Sequence, residues 1–224
     1  MSMQTYFDPS QTSSPTMPTE LPPRNRWLVR SRAWIAILLL APFGAATLVS
    51  WPLVREHSLL ASLFTAVAWL VFLTGVAFRW WATLHVAGRK NECLVSSGPY
   101  SICRNPLYLG TSLITLAIAF YLQSVTFAAG VAVTFVFYLA VTVRDEERRL
   151  RERFGDAYVR YCQEVPRFLP RLRRPDSPPL IEVSSLGLTK ELHRAARYVW
   201  VPLLAQTIAH LRMETWWPHW WMLP

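Results

Sequence analysis

The sequence predicts an all-α polytopic membrane protein with about four transmembrane helices in two hairpins, followed by interfacial C-terminal helices. Of its 224 residues, 52% are hydrophobic and 17% are charged, which is too apolar for an ordinary soluble domain. The apolar residues gather into stretches close to the roughly 20 residues that a helix needs to cross a bilayer. The 23 Lys and Arg residues, against 14 Asp and Glu, lie mostly at the ends of those stretches.

The apolar stretches come in two pairs. They cover residues 33–54, 59–84, 107–124 and 125–143. Only residues 55–58 separate the first two, and only a turn at about residues 123 and 124 separates the last two. Each pair is therefore predicted to form an antiparallel hairpin. Pro42 and Pro52 are predicted to kink or end turns of the first helix.

The chain divides into four segments by composition. Residues 1–32 are rich in Ser, Thr and Pro and are predicted to form a disordered tail. Residues 33–84 form the N-terminal transmembrane hairpin, and residues 85–170 form a core unit with the central loop and the second hairpin. Residues 171–224 form a C-terminal extension, predicted as an interfacial or re-entrant helix because its apolar part, Tyr198 to Leu211, is too short to span comfortably.

The basic residues predict the orientation in the membrane. They precede the first helix, lie between the hairpins and follow the fourth helix, whereas the opposite side offers only Arg55. Because basic loops stay cytoplasmic, the N-terminus, the central loop and the segment after residue 143 are predicted to share the cytoplasmic face. Anionic lipid headgroups explain this positive charge, so membrane lipids are the expected partners and nucleic acid is not. The three cysteines lack metal-ligand spacing, and no metal site is expected.

Two polar clusters flank the second hairpin. The central loop gathers Gly98, Pro99, Tyr100, Arg104, Asn105 and Tyr108 at the start of the third helix. Its helix N-terminus and arginine favour a carboxylate or a phosphate. The segment from Arg144 to about Cys162 has apolar residues at helical spacing and is predicted to lie along the membrane surface, with Gly155 as an interruption.

Within that surface helix, Glu147 falls on the apolar stripe and Glu146 flanks it. A carboxylate on a buried face needs a cationic partner, which is Arg104, Arg79 or a bound ligand. Exposed pairs such as Asp145 with Arg149 are the ordinary structure of such a charge run.

The order of these motifs resembles the isoprenylcysteine carboxyl methyltransferase and phospholipid methyltransferase superfamily of membrane-embedded enzymes. From Leu94 the chain reads Leu-Val-x-x-Gly-Pro-Tyr-x-x-x-Arg-Asn-Pro-x-Tyr-x-Gly, then a helical hairpin and a Glu-Glu pair. Further on come Phe-Gly-x-x-Tyr-x-x-Tyr from Phe154 and Pro-Arg-Phe-Leu-Pro from Pro166. The likeness covers about residues 75–170 and does not extend to the C-terminal extension.

The resemblance implies transfer of a methyl group from S-adenosylmethionine to a lipidic or small hydrophobic acceptor at the cytoplasmic face. The cofactor-binding residues it implies are Gly98, Pro99, Tyr100, Arg104, Asn105, Tyr108, Glu146 and Glu147. Within that set it implies catalytic roles for Arg104, Asn105 and Glu147. The cationic amino and sulfonium groups of this cofactor suit a carboxylate and tyrosine faces, and its carboxylate suits an arginine at a helix start.

One departure bears on the acceptor. The family most often has His where this chain has Asn105, and Asn cannot accept a proton near neutral pH. An acceptor that is already ionised, a carboxylate or a thiolate, is therefore favoured over an amine, unless another base such as His85 serves. Two alternatives stay open: an NADPH-dependent membrane reductase of the sterol reductase type, which shares a related motif, and a non-enzymatic membrane scaffold.

Overall fold

The computed structural model describes residues 26–54, 58–86, 94–171, 174–176 and 185–220. The all-α membrane fold class is confirmed, since the described chain is helical and contains no β-strand. The helices are α1 Arg26–Leu48, α2 Leu59–Val86, α3 Pro99–Ile102, α4 Pro106–Tyr121, α5 Val125–Phe137, a π-helix Tyr138–Val143, α6 Arg144–Glu164, α7 Ser185–Tyr198 and α8 Trp200–Leu211. Most of the predicted disordered tail lies outside the described residues.

Two of these helices are long and apolar enough to cross a membrane by length and composition. They are Leu59–Val86 and Val125–Glu164, and Trp34–Leu48 and Pro106–Tyr121 are shorter apolar helices. The second stretch comprises α5, the π-helix and α6, which follow one another without a connecting loop. The helix predicted after residue 143 is therefore present, but it continues α5 instead of starting separately. Gly155 interrupts it as predicted, with φ +52°.

The ends of α1 differ from the prediction. The helix begins at Arg26, inside the predicted tail, and ends at Leu48 instead of residue 54. Pro52 follows and cannot continue a helix. The segment after Leu48 instead crosses the turn between α4 and α5, where the Leu53 amide donates to the Gln123 carbonyl at 2.9 Å.

The four apolar helices form a row in the order α2, α4, α5, α1. A short turn joins α4 to α5, as predicted, but α1 and α2 do not pack as the predicted tight hairpin, since residues 49–58 separate them and α1 packs mainly on α5 and α2 mainly on α4. The α2–α4 crossing is close because two glycines meet: a Cβ on Gly75 would lie 2.8 Å from the Gly110 carbonyl oxygen, and a Cβ on Gly110 would lie 2.7 Å from that of Gly75. This contact fixes α4, whose first turn carries the polar residues of the central loop.

The C-terminal extension packs on the outside of this row. Helix α7 lies against α2, and α8 lies against α4. The two helices are separated at Val199 because Pro202, three residues later, has no amide hydrogen for a continuous helix.

Candidate functional site

A pocket lies where α4 begins, between the central loop and α6. We call it the α4–α6 pocket. Its lining residues are Val86, Leu94, Val95, Tyr100, Arg104, Asn105, Pro106, Leu107, Tyr108, Glu146, Leu150, Phe154, Tyr158 and Tyr161. The lining is thus mostly apolar and aromatic, with one carboxylate and one guanidinium.

The turn at Gly98 places Tyr100 in this pocket. Gly98 has φ +60°, a conformation that favours glycine, and a Cβ there would lie within 2.6 Å of three His85 ring atoms. Pro99 then starts the short helix α3, and the Ser101 hydroxyl donates to the Gly98 carbonyl at 2.7 Å. Gly98 and Pro99 are buried within the loop and are not among the lining residues of the pocket.

His85 packs this loop and is not a lining residue of the pocket. Its side chain is buried, its Nδ1 lies 2.9 Å from the Trp81 carbonyl oxygen, and its Nε2 faces Gly98. The ring is therefore held against the central loop and is not part of the pocket wall.

Glu147 lies in a network of two arginines beside the pocket. Its Oε1 is 3.5 Å from Arg104 Nη1 and accepts from Arg167 Nε at 3.0 Å, while Arg167 Nη2 donates to its Oε2. Asn105 Nδ2 donates to Glu147 Oε1 at 3.4 Å and to the Arg167 carbonyl at 3.2 Å. Glu147 and Arg104 are each 16% exposed. Arg104 is thus the cationic partner of Glu147, one of the partners that the sequence predicted. Arg167 is a second partner, which was not predicted.

This network raises the pKa of Arg104. Although burial disfavours the charged guanidinium, the neighbouring Glu147 carboxylate and the Cys162 thiol raise the pKa of Arg104. Its Nη1 also donates to Cys162 Sγ at 2.8 Å. Arg104 is therefore a fixed cation at the wall of the pocket.

Glu146 has a different environment from its neighbour. Its carboxylate lines the α4–α6 pocket and accepts a hydrogen bond from the Tyr108 hydroxyl at 2.7 Å. Glu147 is absent from the lining residues. Of the two predicted carboxylates, Glu146 is therefore accessible from the pocket, whereas Glu147 forms ion pairs with arginines.

Three of the tyrosines that line the pocket, Tyr100, Tyr158 and Tyr161, have raised pKa values. Burial and, next, the Glu146 carboxylate raise the pKa of Tyr100 above its usual range. Burial raises the pKa of Tyr158 and of Tyr161 in the same direction. The Tyr161 hydroxyl donates to the Tyr100 carbonyl at 2.7 Å, which fixes the loop against α6. These rings offer aromatic faces and hydroxyl donors, and none of the three is a phenolate near neutral pH.

A second cavity of about 730 Å³ adjoins the pocket at Tyr108, which lines both. We call it the α1–α5 cavity. Its lining residues are Ala36, Leu40, Tyr108, Thr111, Ser112, Thr115, Val131, Thr134, Phe135, Tyr138, Leu139, Val143 and Phe168. Part of the π-helix forms its wall, and such segments occur often at functional sites. The cavity lies among the apolar helices and is bordered by aliphatic and aromatic side chains.

The structure brings most of the predicted site residues together. Tyr100, Arg104, Asn105, Tyr108 and Glu146 line one pocket. Asn105 precedes Pro106 at the start of α4, as predicted, but its side chain does not cap the helix and instead donates to Glu147. The cofactor-binding and catalytic roles of all eight residues stay predictions.

Comparisons with known proteins agree with the motifs. The phospholipid methyltransferase family model matches residues 57–157. Nickel-cobalt-cadmium resistance protein NccN of Alcaligenes xylosoxydans xylosoxydans is 30% identical over 65% of this chain and 68% of its own length. Protein-S-isoprenylcysteine O-methyltransferase B of Arabidopsis thaliana is 28% identical over 60% of this chain and 84% of its own. The chain belongs to the isoprenylcysteine carboxyl and phospholipid methyltransferase superfamily.

Cobalt-zinc-cadmium resistance protein CzcN of Cupriavidus metallidurans (strain ATCC 43123 / DSM 2839 / NBRC 102507 / CH34) is 38% identical over 48% of this chain. The chain spans half the length of that relative, 50%. No solved structure matches the chain. The family model covers α2 to the middle of α6 and therefore the parts that build the α4–α6 pocket, apart from Tyr158 and Tyr161.

Proposed function

We propose that this chain transfers a methyl group from S-adenosylmethionine, bound in the α4–α6 pocket, to a lipophilic acceptor held in the adjoining α1–α5 cavity. The observation that carries this proposal is that the pocket and the cavity meet at Tyr108, with the Glu146 carboxylate on the pocket side and a mainly apolar space on the other. When bound, S-adenosylmethionine supplies an electrophilic methyl group on its sulfonium.

The residues of the pocket fit that cofactor. Glu146 is the carboxylate available to its ammonium group, and Arg104 with the start of α4 would hold its carboxylate. Tyr100 and Tyr108 would present ring faces or hydroxyls to the sulfonium, an arrangement that favours a cation. Methyl transfer by in-line displacement then depends on alignment of the two reactants and exclusion of water.

The proposed acceptor is a carboxylate or an ionised thiol. Among the described lining residues of the pocket, the ionisable side chains are tyrosines, Arg104 and Glu146, and Glu146 is engaged by Tyr108. Asn105 cannot accept a proton, and His85 is held against the central loop and is not part of the pocket wall. An acceptor that arrives already ionised needs no base, whereas an amine must lose a proton.

An acceptor screen tests this directly. Purified protein with radiolabelled S-adenosylmethionine is expected to methylate a long-chain carboxylic acid or an isoprenylated thiol and to leave phosphatidylethanolamine unmodified. Methylation of phosphatidylethanolamine alone would show that a base operates in the site and would remove the proposed acceptor class.

The proposed orientation places the α4–α6 pocket on the cytoplasmic face of a multi-pass protein. The pocket lies at the end of the bundle from which the arginine-rich helix α6 projects. Positive charge near membrane helices is retained in the cytoplasm, where S-adenosylmethionine is also made available to enzymes.

Glu146→Gln is expected to weaken binding of S-adenosylmethionine by roughly ten- to a hundredfold, because a charge-assisted hydrogen bond contributes about 1.5–3 kcal/mol. Calorimetric titration of detergent-purified protein measures the change. Glu152→Gln is the matched control, since Glu152 is on the same helix and 63% exposed. Binding of NADPH in place of S-adenosylmethionine would favour the reductase, and binding of neither would favour the scaffold.

A further inference from the structure

The C-terminal extension contacts the protein at the pocket end of the bundle. The Gly98 amide donates to the Asp176 carbonyl at 2.6 Å, and the Asp176 amide donates to the Ser101 hydroxyl at 3.0 Å. At the end of α7, the Arg79 guanidinium lies over the Tyr198 ring, 5.6 Å from its centroid. Arg79 also donates to the Leu107 carbonyl in the first turn of α4. The extension therefore begins beside the central loop. At Tyr198 it again lies close to the first turn of α4, through Arg79.

At its other end the extension is anchored by Arg212, which is completely buried. Arg212 Nη1 donates to the Leu122 carbonyl at 2.6 Å, and Nη2 donates to the Ser50 carbonyl at 2.8 Å. Leu122 lies in the turn after α4, and Ser50 follows α1. Both acceptors are at the end of the bundle opposite the pocket. A buried guanidinium is costly unless it is well paired, so these carbonyls fix the position of the residue.

The segment after Arg212 continues over that same end. Trp217 Nε1 donates to the Leu48 carbonyl at 2.6 Å, and the Trp220 amide donates to the Val49 carbonyl at 2.8 Å. The His219 ring stacks on Trp51 with 3.8 Å between ring centroids. Residues 212–220 thus form a second cluster of contacts, separated from the Asp176 contacts by the full length of α4.

We propose that α8, with the last residue of α7, crosses the membrane as a fifth segment and places residues 212–220 on the face opposite the α4–α6 pocket. This replaces the expectation of an interfacial or re-entrant helix, which rested on length. Residues 198–212 run beside the 16-residue helix α4 from its first turn to the turn after its end. A segment of that length is therefore sufficient to traverse this bundle.

The outward face of the first half of α8 agrees with contact to lipid, and the exposed Thr207 and His210 lie in the second half. Trp200, Leu203 and Leu204 are 60%, 53% and 57% exposed. The inward side carries Ala205, which is 4% exposed and belongs to the same core cluster as Ala68 on α2. Large aliphatic and aromatic side chains that face outward along a helix are stable in hydrocarbon and costly in water.

Cysteine labelling in intact cells tests the crossing within the full chain. Thr215→Cys and Asp156→Cys introduce thiols at two exposed positions, after α8 and on α6 respectively. A membrane-impermeant maleimide is expected to label Thr215→Cys in intact cells and Asp156→Cys only after permeabilisation, above the labelling of the parent chain. Labelling of both positions under the same condition would place them on one face and overturn the proposal. The assay needs no enzymatic activity, so its result does not depend on whether the protein transfers methyl groups.

Discussion

Glu147→Ala is expected to destabilise the protein by roughly 3–5 kcal/mol, the usual cost of removing one partner from a buried ion pair. The substitution leaves the Arg104 guanidinium 16% exposed without its carboxylate, beside Arg167. It also removes an acceptor from Asn105, the residue before α4. The expected result is a lower melting temperature of the detergent-purified protein, together with loss of binding of S-adenosylmethionine in whatever fraction remains folded.

Two other variants separate stability from binding in this region. Glu147→Gln keeps an oxygen that can accept from Asn105 and Arg167, so its destabilisation should be smaller than that of Glu147→Ala. Glu146→Gln should keep the melting temperature close to that of the unmodified protein and lose binding. An unchanged melting temperature in Glu147→Ala with weakened binding would instead assign this carboxylate to the cofactor.

The sequence predicted the fold class and the principal polar cluster because both depend on local patterns. Apolar stretches of membrane-spanning length identify helices without knowledge of their neighbours. The central loop from Gly98 to Tyr108 is continuous in the chain, so its side chains were certain to lie near one another. Whether a loop residue such as Gly98 lines a pocket or supports it depends on what packs against it, and at Gly98 that is His85.

The sequence did not show which of Glu146 and Glu147 lines the pocket. A helical wheel assumes an unbroken α-helix, and the π-helix Tyr138–Val143 joins α5 to α6 with a different number of residues per turn. The direction of each carboxylate relative to α4 therefore depends on this segment. Arg167 was missed for another reason: it reaches Glu147 only because the chain reverses after α6, a contact between residues 20 positions apart. The Pro-Arg-Phe motif that contains it was the available signal.

Local sequence patterns also did not predict the path of the extension. The interfacial expectation compared Tyr198–Leu211 with the roughly 20 residues of an average span. Helix α4 shows that 16 residues suffice between the two turns of this bundle. An arginine next to an apolar segment usually marks a cytoplasmic end, whereas Arg212 is buried against carbonyl groups.

Tyr108→Ala is expected to lower the turnover number for methyl transfer by about a hundredfold or more, because displacement of reactants by about 1 Å can cost that much. The Tyr108 ring stands between the α4–α6 pocket and the α1–α5 cavity, and its hydroxyl orients Glu146. Its removal joins the two spaces and frees the carboxylate. Water then has access to the point where the acceptor and the methyl group must be aligned.

Tyr108→Phe is the matched control because it keeps the ring and deletes only the hydroxyl. Loss of a single hydrogen bond of about 0.5–1.5 kcal/mol should weaken cofactor binding by no more than about tenfold and leave turnover at saturating cofactor within a similar factor. Single-turnover assays with the carboxylate or thiol acceptor that the unmodified protein methylates measure both variants. Equal losses in Tyr108→Ala and Tyr108→Phe would assign the effect to the hydroxyl and contradict the role of the ring as a partition. A large loss confined to Tyr108→Ala is the result that a two-compartment site requires, since the Tyr108 ring lines both spaces.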